Sequence, residues 1–533
     1  AEIHCLAALP VTTGGKVDRG ALARLGAALR EGPEGDAGRV APRDPAEIFV
    51  AGLWREVLDR PVIGVEESFF ALGGSSIQAA ILTNLLQERL GEYVYVVALF
   101  DAPTVAELAA YLVRHYPRAM ARVTSLVVTA ATAPAEPAAP GARVDPRIDA
   151  RAVLRLRALI PPVRRPAGDG PPGPARNPRA VFILSPPRSG STLLRVMLAG
   201  HPDLFAPPEL ELLGFTTLAE RESAFAGRYA LWREGMIRAT MAALGADAEA
   251  ARLRLEEMAR RGVTTREAYR ELQGWIGDRL LVDKTPSYAL DPATLARAEA
   301  EFEAPLYIHL LRHPCGMIAS FEKARLEQVF FRHPHDFSPR QLAELIWVVS
   351  QENIRELLAG VSVERQYRLR FEELVRSPRE ELSRLSAFLG VPFAEGMLDP
   401  YADGSRKMTD GIHALSKMVG DVKFHEHRQV DAGTAESWRA DYPEERLGEP
   451  TRELAGDLGY GERPAPSFSC LVPLAAGASQ PALFLVHPVG GNVFCYRELA
   501  GLLGGERPVY GLQSAGLGDG RAPQGTVAEM AAS

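Results

Sequence analysis

Residues 180–208 read AVFILSPPRSGSTLLRVMLAGHPDLFAPP. The apolar, partly β-branched run Val181, Phe182, Ile183, Leu184 predicts a buried strand, which the Pro186-Pro187 pair breaks. From Leu193 the apolar spacing becomes helical through Leu194, Met197 and Leu198. Between strand and helix lie Arg188, Ser189, Gly190, Ser191 and Thr192. A strand, a tight polar turn and a helix N-terminus present backbone N–H groups to an anion. Gly190 permits close approach, and Arg188 adds a full positive charge. The stretch therefore predicts a phosphate site. It lacks the lysine of a Gly-Lys-Ser/Thr turn, which makes a nucleoside-triphosphate hydrolase the weaker reading. An ordinary strand-to-helix turn with polar caps competes on this stretch alone.

A second segment weighs against that plain turn. Residues 305–324, PLYIHLLRHPCGMIASFEKA, again run from an apolar strand (Leu306 to Leu311) to Arg312, a proline break and a helix carrying Ser320. An arginine and a hydroxyl at a strand's C-terminal end suit a second phosphate. Arg312 as a surface ion-pair residue is the alternative for this half alone. Two such sites in this order suit a nucleotide with phosphate at both its 5′ and 3′ positions.

The chain has 533 residues, which predicts several domains, and its 47% hydrophobic and 24% charged content is that of a soluble globular protein. A net charge of -7 gives no reason to invoke nucleic acid. Cys5, Cys315, Cys470 and Cys495 are scattered without metal-ligand spacing, and reduced cytoplasmic thiols are expected. No apolar run is long enough to cross a membrane and no signal peptide is evident. Both ends look cut, so the reading is a piece of a larger polypeptide.

In chain order, residues 1–30 hold ALPVTTGGKVDRGALARL, a turn around Lys16 and a short helix. A Gly/Pro linker (31–44) leads to a compact helical unit, 45–117. Its first helix, Ala46 to Leu58, has Ile48, Val50, Leu53, Trp54 and Val57 at helical spacing. In FFALGGSSIQA, Ser76 follows Gly73, Gly74 and Ser75 at a helix start, where a serine is ordinarily an N-cap. A further helix, Val105 to His115, follows the cap signal at Thr104. Residues 118–178 form an Ala/Pro-rich linker with one helical patch, Asp149 to Leu159. Residues 179–461 alternate strands with helices, the pattern of a mostly parallel sheet. After a linker (462–480), residues 481–533 open on PALFLVHPVGG, a buried strand running into a Gly turn and a helix.

These motifs carry resemblances. The Lys16 segment resembles the last motif of adenylation domains in nonribosomal peptide synthetases, where such a lysine contacts the carboxylate being adenylated; the rest of that domain is absent here. FFALGGSSIQA resembles the carrier motif of nonribosomal peptide and polyketide synthases, which implies a 4′-phosphopantetheine arm on Ser76, attached by a phosphopantetheinyl transferase. Residues 179–461 resemble sulfotransferases that use 3′-phosphoadenosine 5′-phosphosulfate (PAPS). SPPRSGSTLL matches their 5′-phosphosulfate loop and RHPCGMIAS their 3′-phosphate motif. HPDLFAPPEL, DKTPSY, TDGIH and ESW extend the likeness, closest to sulfotransferase domains embedded in assembly lines such as the curacin polyketide synthase. Residues 481–533 resemble the start of a terminal thioesterase, an α/β-hydrolase, without its GxSxG elbow.

The resemblance implies site roles. Arg188, Ser189, Gly190, Ser191 and Thr192 would hold the 5′ side of the nucleotide, and Arg312 and Ser320 its 3′-phosphate. Glu209 in PPELELL or His413 in TDGIH would be the general base, and Lys284 in DKTPSY would sit by the bridging oxygen, with Arg188 the other candidate for that charge. The plain readings are a helix-start carboxylate, a hydrogen-bonded loop histidine and a solvated surface lysine. Phe371 stands where the tyrosylprotein-sulfotransferase branch, which this segment resembles more than the small-molecule cytosolic branch, has a tyrosine, and IWVVSQEN lacks an arginine expected after IW in the curacin type. His425, His427 and Arg428 would close over the nucleotide. No metal is assigned.

The expected architecture is a small all-α carrier bundle, an α/β sulfotransferase with a P-loop-like parallel sheet, and a truncated hydrolase start. The expected activity is sulfonation of a β-hydroxyl on an acyl or peptidyl chain tethered to Ser76, between upstream and downstream assembly-line domains. By analogy of domain order, decarboxylative loss of sulfate would then give a terminal alkene. A sulfate ester kept in the product, or a non-catalytic carrier and scaffold region, are the alternatives.

Overall fold

The computed structural model describes residues 39–124, 146–161, 176–412, 424, 427–439, 442–460, 471–475, 481–488, 493–503 and 507–514. The chain divides into two compact units, Ala1–Gly141 and Ala142–Ser533.

In the first unit the helices are α1 (Pro45–Leu58), α2 (Ser76–Leu90), α3 (Val97–Asp101), α4 (Val105–His115) and α5 (Pro117–Thr124). The Asp44 carboxylate caps α1 by accepting from the N–H groups of Ala46 and Glu47, both at 2.8 Å, and Pro45 fits its first turn. Val50 and Trp54 are fully buried, and Trp54 meets Phe69 edge-on at 5.0 Å. Ile48, expected on the inner face, is 57% exposed: it lies two residues from Val50, on the other side of the helix. Ser75 caps α2, accepting from Gln78 N while the Gln78 side chain returns to Ser75 N. The cap role therefore falls to Ser75, and Ser76 is the first helical residue. Gly73 has φ 91°, and a methyl on Gly74 would overlap the Phe69 ring, so both glycines of the turn are required.

The second unit is built on a parallel sheet of β1 (Ala180–Leu184), β2 (Leu204–Phe205), β3 (Leu280–Asp283), β4 (Leu306–Leu311) and β5 (Gln366–Arg370), in the order β2-β3-β1-β4-β5. Alternation divides the core. Phe182 and Leu184 join Tyr307 and Tyr269 on one face, while Val181 and Ile183 meet Leu194, Met197 and Leu198 on the other. The turns that follow β1, β3 and β4 thus emerge along one edge, where open parallel sheets bind ligands.

Upstream of the sheet, the helical patch is a helix, α6 (Ala150–Leu159), docked within this unit. Leu156 is fully buried, and Arg157 donates to Asn353 Oδ1 and Glu352 Oε2, both at 2.8 Å, on the long helix Pro339–Ala359. Near the C-terminus, strands Leu471–Ala475, Leu483–Val486 and Val509–Leu512 form a small sheet, with Leu483–Val486 at one edge. That strand was expected to be buried, yet Phe484 and Val486 are 51% and 61% exposed: among the described residues nothing covers one of its faces.

The end of β3 is held by a buried carboxylate. Asp283 accepts from Tyr269 OH at 2.5 Å, Thr285 Oγ1 at 2.7 Å and Tyr288 OH at 3.2 Å. Tyr288 OH in turn accepts from Leu212 N at 2.8 Å, which ties the DKTPSY turn to the PPELELL loop. Burial pushes the Asp283 carboxyl up to about 6, against the hydrogen bonds and the Lys284 charge that pull it down. The folded state then holds this proton more tightly than the unfolded chain, so between about pH 4 and 6 stability falls as pH rises. Asp283→Asn should flatten that part of the urea-stability profile, by at most ~3 kcal/mol across the window; an unchanged slope would remove Asp283 as its source.

Candidate active site

The turn from Arg188 to Thr192 has the shape its residues require. Arg188 and Gly190 have φ of 60° and 88°, and a methyl on Gly190 would overlap the Phe371 ring. The helix Ser191–Ala199 starts with no side-chain cap. Ser185 and Ser189 are fully buried, and their hydroxyls have no hydrogen-bond partner among the described residues. Uncapped N–H groups, two buried hydroxyls lacking partners and a left-handed glycine suit an anion carrying several acceptor oxygens.

The second motif lies against the first. Arg312, at the end of β4, donates to the Arg188 carbonyl at 2.6 Å, and its guanidinium lies 4.4 Å from the centre of the Phe371 ring. Ser320 Oγ accepts from Arg188 Nε at 3.1 Å. Arg312 is thus no isolated surface cation. Phe371 floors both loops, touching Arg312 and the space beside Gly190. Next to Arg312, His313 stacks on Trp438 of the ESW segment, with ring centres 4.1 Å apart and 10° between planes. Burial lowers the His313 imidazole to about 4, so it is neutral at pH 7.

Lys284 joins this edge from the end of β3. Its side chain is 1% exposed, and its ammonium group ion-pairs with the Glu209 carboxylate, itself almost buried. Its Nζ also lies 3.4 Å from Thr192 Oγ1 of the phosphate loop. The surface-lysine reading is therefore replaced: Lys284 spans from the anion loop to Glu209. The Glu209 backbone is gripped by the helix Glu234–Leu244, where a methyl on Gly235 would overlap the Glu209 carbonyl. Two residues on, Glu211 has φ 52° and accepts from Ser287 Oγ at 2.8 Å on both oxygens; burial raises its carboxyl.

His413 and His425 lie outside the described residues, as does Lys16. Asp410, three residues before His413, accepts from Arg238 Nε at 3.0 Å and Nη2 at 2.7 Å. Arg428 lines a cavity of about 520 Å³ with Arg376, Arg379 and Tyr401, and the His427 ring centre is 6.4 Å from that of Tyr401. Ser76 belongs to the first unit. Sequence reasoning missed Asp283 and Arg195. Arg195 does carry a signal, as a charged residue within the apolar run LLRVML.

The geometry is that of an α/β fold with polar and charged turns at the ends of its parallel strands. Residues 178–395 match the family model described as Sulfotransferase family, and residues 49–112 that described as Phosphopantetheine attachment site. The chain holds a sulfotransferase domain and a phosphopantetheine carrier domain. Over 104 residues it is 40% identical to the dimodular nonribosomal peptide synthase of Bacillus subtilis, covering 20% of this chain and 4% of that protein. Over 296 residues it is 27% identical to nodulation protein NoeE of Sinorhizobium fredii, covering 53% of this chain and 65% of that protein. It is also 40% identical to the solved sulfotransferase domain from the curacin biosynthetic pathway, over 54% of this chain and 99% of that one, with a TM-score of 0.49. The chain therefore spans 4% of the length of the peptide synthase and just under two thirds of NoeE.

A buried ion pair is costly to break from one side only. Glu209→Gln should remove the carboxylate that neutralises the buried Lys284 ammonium group and destabilise the fold by ~3–5 kcal/mol, whereas Glu209→Gln with Lys284→Met should lose much less. Denaturant unfolding of the two single variants and the double variant checks this; additive losses would mean the two side chains do not interact.

Proposed function

We propose that this chain moves a sulfonate group from PAPS to a hydroxyl of an acyl or peptidyl chain held on a 4′-phosphopantetheine arm at Ser76, with a β-hydroxyl as the acceptor. The observation that carries the reading is the position of Lys284, against Thr192 of the anion loop and Glu209 at once. The donor, when bound, supplies a sulfonate already activated on a phosphate leaving group. Arg188 and the N–H groups from Ser189 to Thr192, with Gly190 giving room, hold its 5′ side; Arg312 and Ser320 hold the 3′-phosphate. Lys284 places positive charge where the leaving oxygen gains negative charge. Glu209 accepts the proton of the attacking hydroxyl as the new O–S bond forms and the old one breaks, with His413 the other candidate for that proton.

In this reading residues 45–117 are the carrier, 179–461 the sulfotransferase, 1–30 an adenylation-domain tail and 481–533 a thioesterase start, joined by linkers at 31–44, 118–178 and 462–480. Neighbouring assembly-line domains and a phosphopantetheinyl transferase are the partners, in a cytoplasmic setting. Loss of sulfate and CO2 after thioester hydrolysis would give a terminal alkene.

The test uses a soluble β-hydroxyacyl pantetheine thioester as acceptor. Lys284→Ala should lower kcat by about 10²-fold while 3′-phosphoadenosine 5′-phosphate still binds by calorimetry, and Arg188→Ala should weaken that binding by roughly tenfold. Failure of the unaltered chain to bind the nucleotide would contradict the reading.

A further inference from the structure

The helix that follows the anion loop, Ser191–Ala199, buries Leu194, Val196, Met197 and Leu198, and among them Arg195, with no exposed surface. A guanidinium in such a place costs several kcal/mol to desolvate, and an apolar side chain would fill the space at lower cost. The residues it reaches give a reason for its presence. Nη1 donates to the Ala206 carbonyl at 3.3 Å and to the Lys407 carbonyl at 2.6 Å, and Nη2 to the Met408 carbonyl at 3.4 Å. Ala206 lies three residues before Glu209. Lys407 and Met408 lead directly into Thr409-Asp410, and Met408 is held at φ 51°, a strained conformation for a residue with a side chain. Its neighbours Lys407 and Thr409 are 4% and 2% exposed.

The same short segment is gripped from its other side. Arg238 donates to the Ser405 carbonyl at 2.7 Å as well as to Asp410. Burial lowers the Arg195 guanidinium to about 10, and the charge of Glu209 works against that fall. Arg195 thus remains cationic at pH 7 and adds positive potential behind Glu209.

We propose that Arg195 is a positioning residue for sulfonate transfer: from the anion-loop helix it sets, through main-chain carbonyls, where the Ala206–Glu209 and Lys407–Asp410 segments stand relative to the bound phosphates. The inference rests on the sulfotransferase reading of the site. Arg195 touches neither donor nor acceptor, so its effect falls on the alignment of groups that do. A misplacement of about 1 Å in such groups costs roughly 10²-fold in rate. Lysine keeps the charge but presents one compact head to carbonyls that a planar fork reaches together, so it is not a neutral replacement.

The experiment compares Arg195→Lys and Arg195→Met with the unaltered chain in the soluble-acceptor assay, with thermal unfolding and calorimetric binding of 3′-phosphoadenosine 5′-phosphate measured alongside. The expected result is a fall in kcat of at least about tenfold for Arg195→Lys and more for Arg195→Met, with acceptor KM and nucleotide Kd each within about threefold. A folded Arg195→Lys with unaltered kcat would overturn the proposal. So would a loss of nucleotide affinity that accounts for the whole fall in rate, or loss of the folded state in both variants, which would make the residue structural only. If the unaltered chain neither binds nucleotide nor transfers sulfonate, it is the sulfotransferase reading that fails, a result distinct from each of these.

Discussion

The ammonium group of Lys284 is almost entirely removed from water, and the carboxylate of Glu209 neutralises it there. Much of the surrounding structure keeps that pair in place. Lys284 is fixed because β3 ends in Asp283, whose carboxylate gathers Tyr269, Thr285 and Tyr288. Glu209 is fixed because its loop is bonded to Tyr288 through Leu212, abuts Gly235, and is held at Ala206 by Arg195. A buried pair of this kind adds little net stability compared with an apolar filling; in the proposed reading its worth lies in what it poises beside the Arg188–Thr192 turn.

The parallel sheet explains why the parts meet. Strands β1, β3 and β4 are neighbours, and each ends in a turn that carries charge: Arg188, Lys284 and Arg312. Three cations converging on one edge would repel each other, and the structure answers in two ways. Glu209 pairs with Lys284, while Arg312 turns toward the Arg188 carbonyl and the face of Phe371.

How much was legible in the sequence depended on how local its cause was. The apolar runs that begin at Val181 and Leu193 predict a strand and a helix, which the structure starts one and two residues earlier, at Ala180 and Ser191; β4 and the helix Val105–His115 likewise follow from short-range spacing. The carrier turn was legible too, although its cap is Ser75 and not the serine beside it. The burial of Lys284 was not legible: a lysine after an apolar strand looks solvated until the partner 75 residues upstream is known. Arg195 was hidden for a different reason. Its partners are backbone carbonyls, up to 213 residues away, and carbonyls leave no mark on side-chain patterns. Ile48 and the exposed edge at Phe484 and Val486 failed because apolar composition does not reveal which face has a neighbour.

The carrier motif and the sulfotransferase site share one chain, and the central claim is that the first delivers substrate to the second. Intact-protein mass spectrometry of the chain with a β-hydroxyacyl phosphopantetheine arm on Ser76, incubated with PAPS, tests this most directly. The account predicts a gain of one sulfonate, located on the arm by its ejection in the gas phase. No gain on the arm, while the same preparation binds the nucleotide, would contradict it.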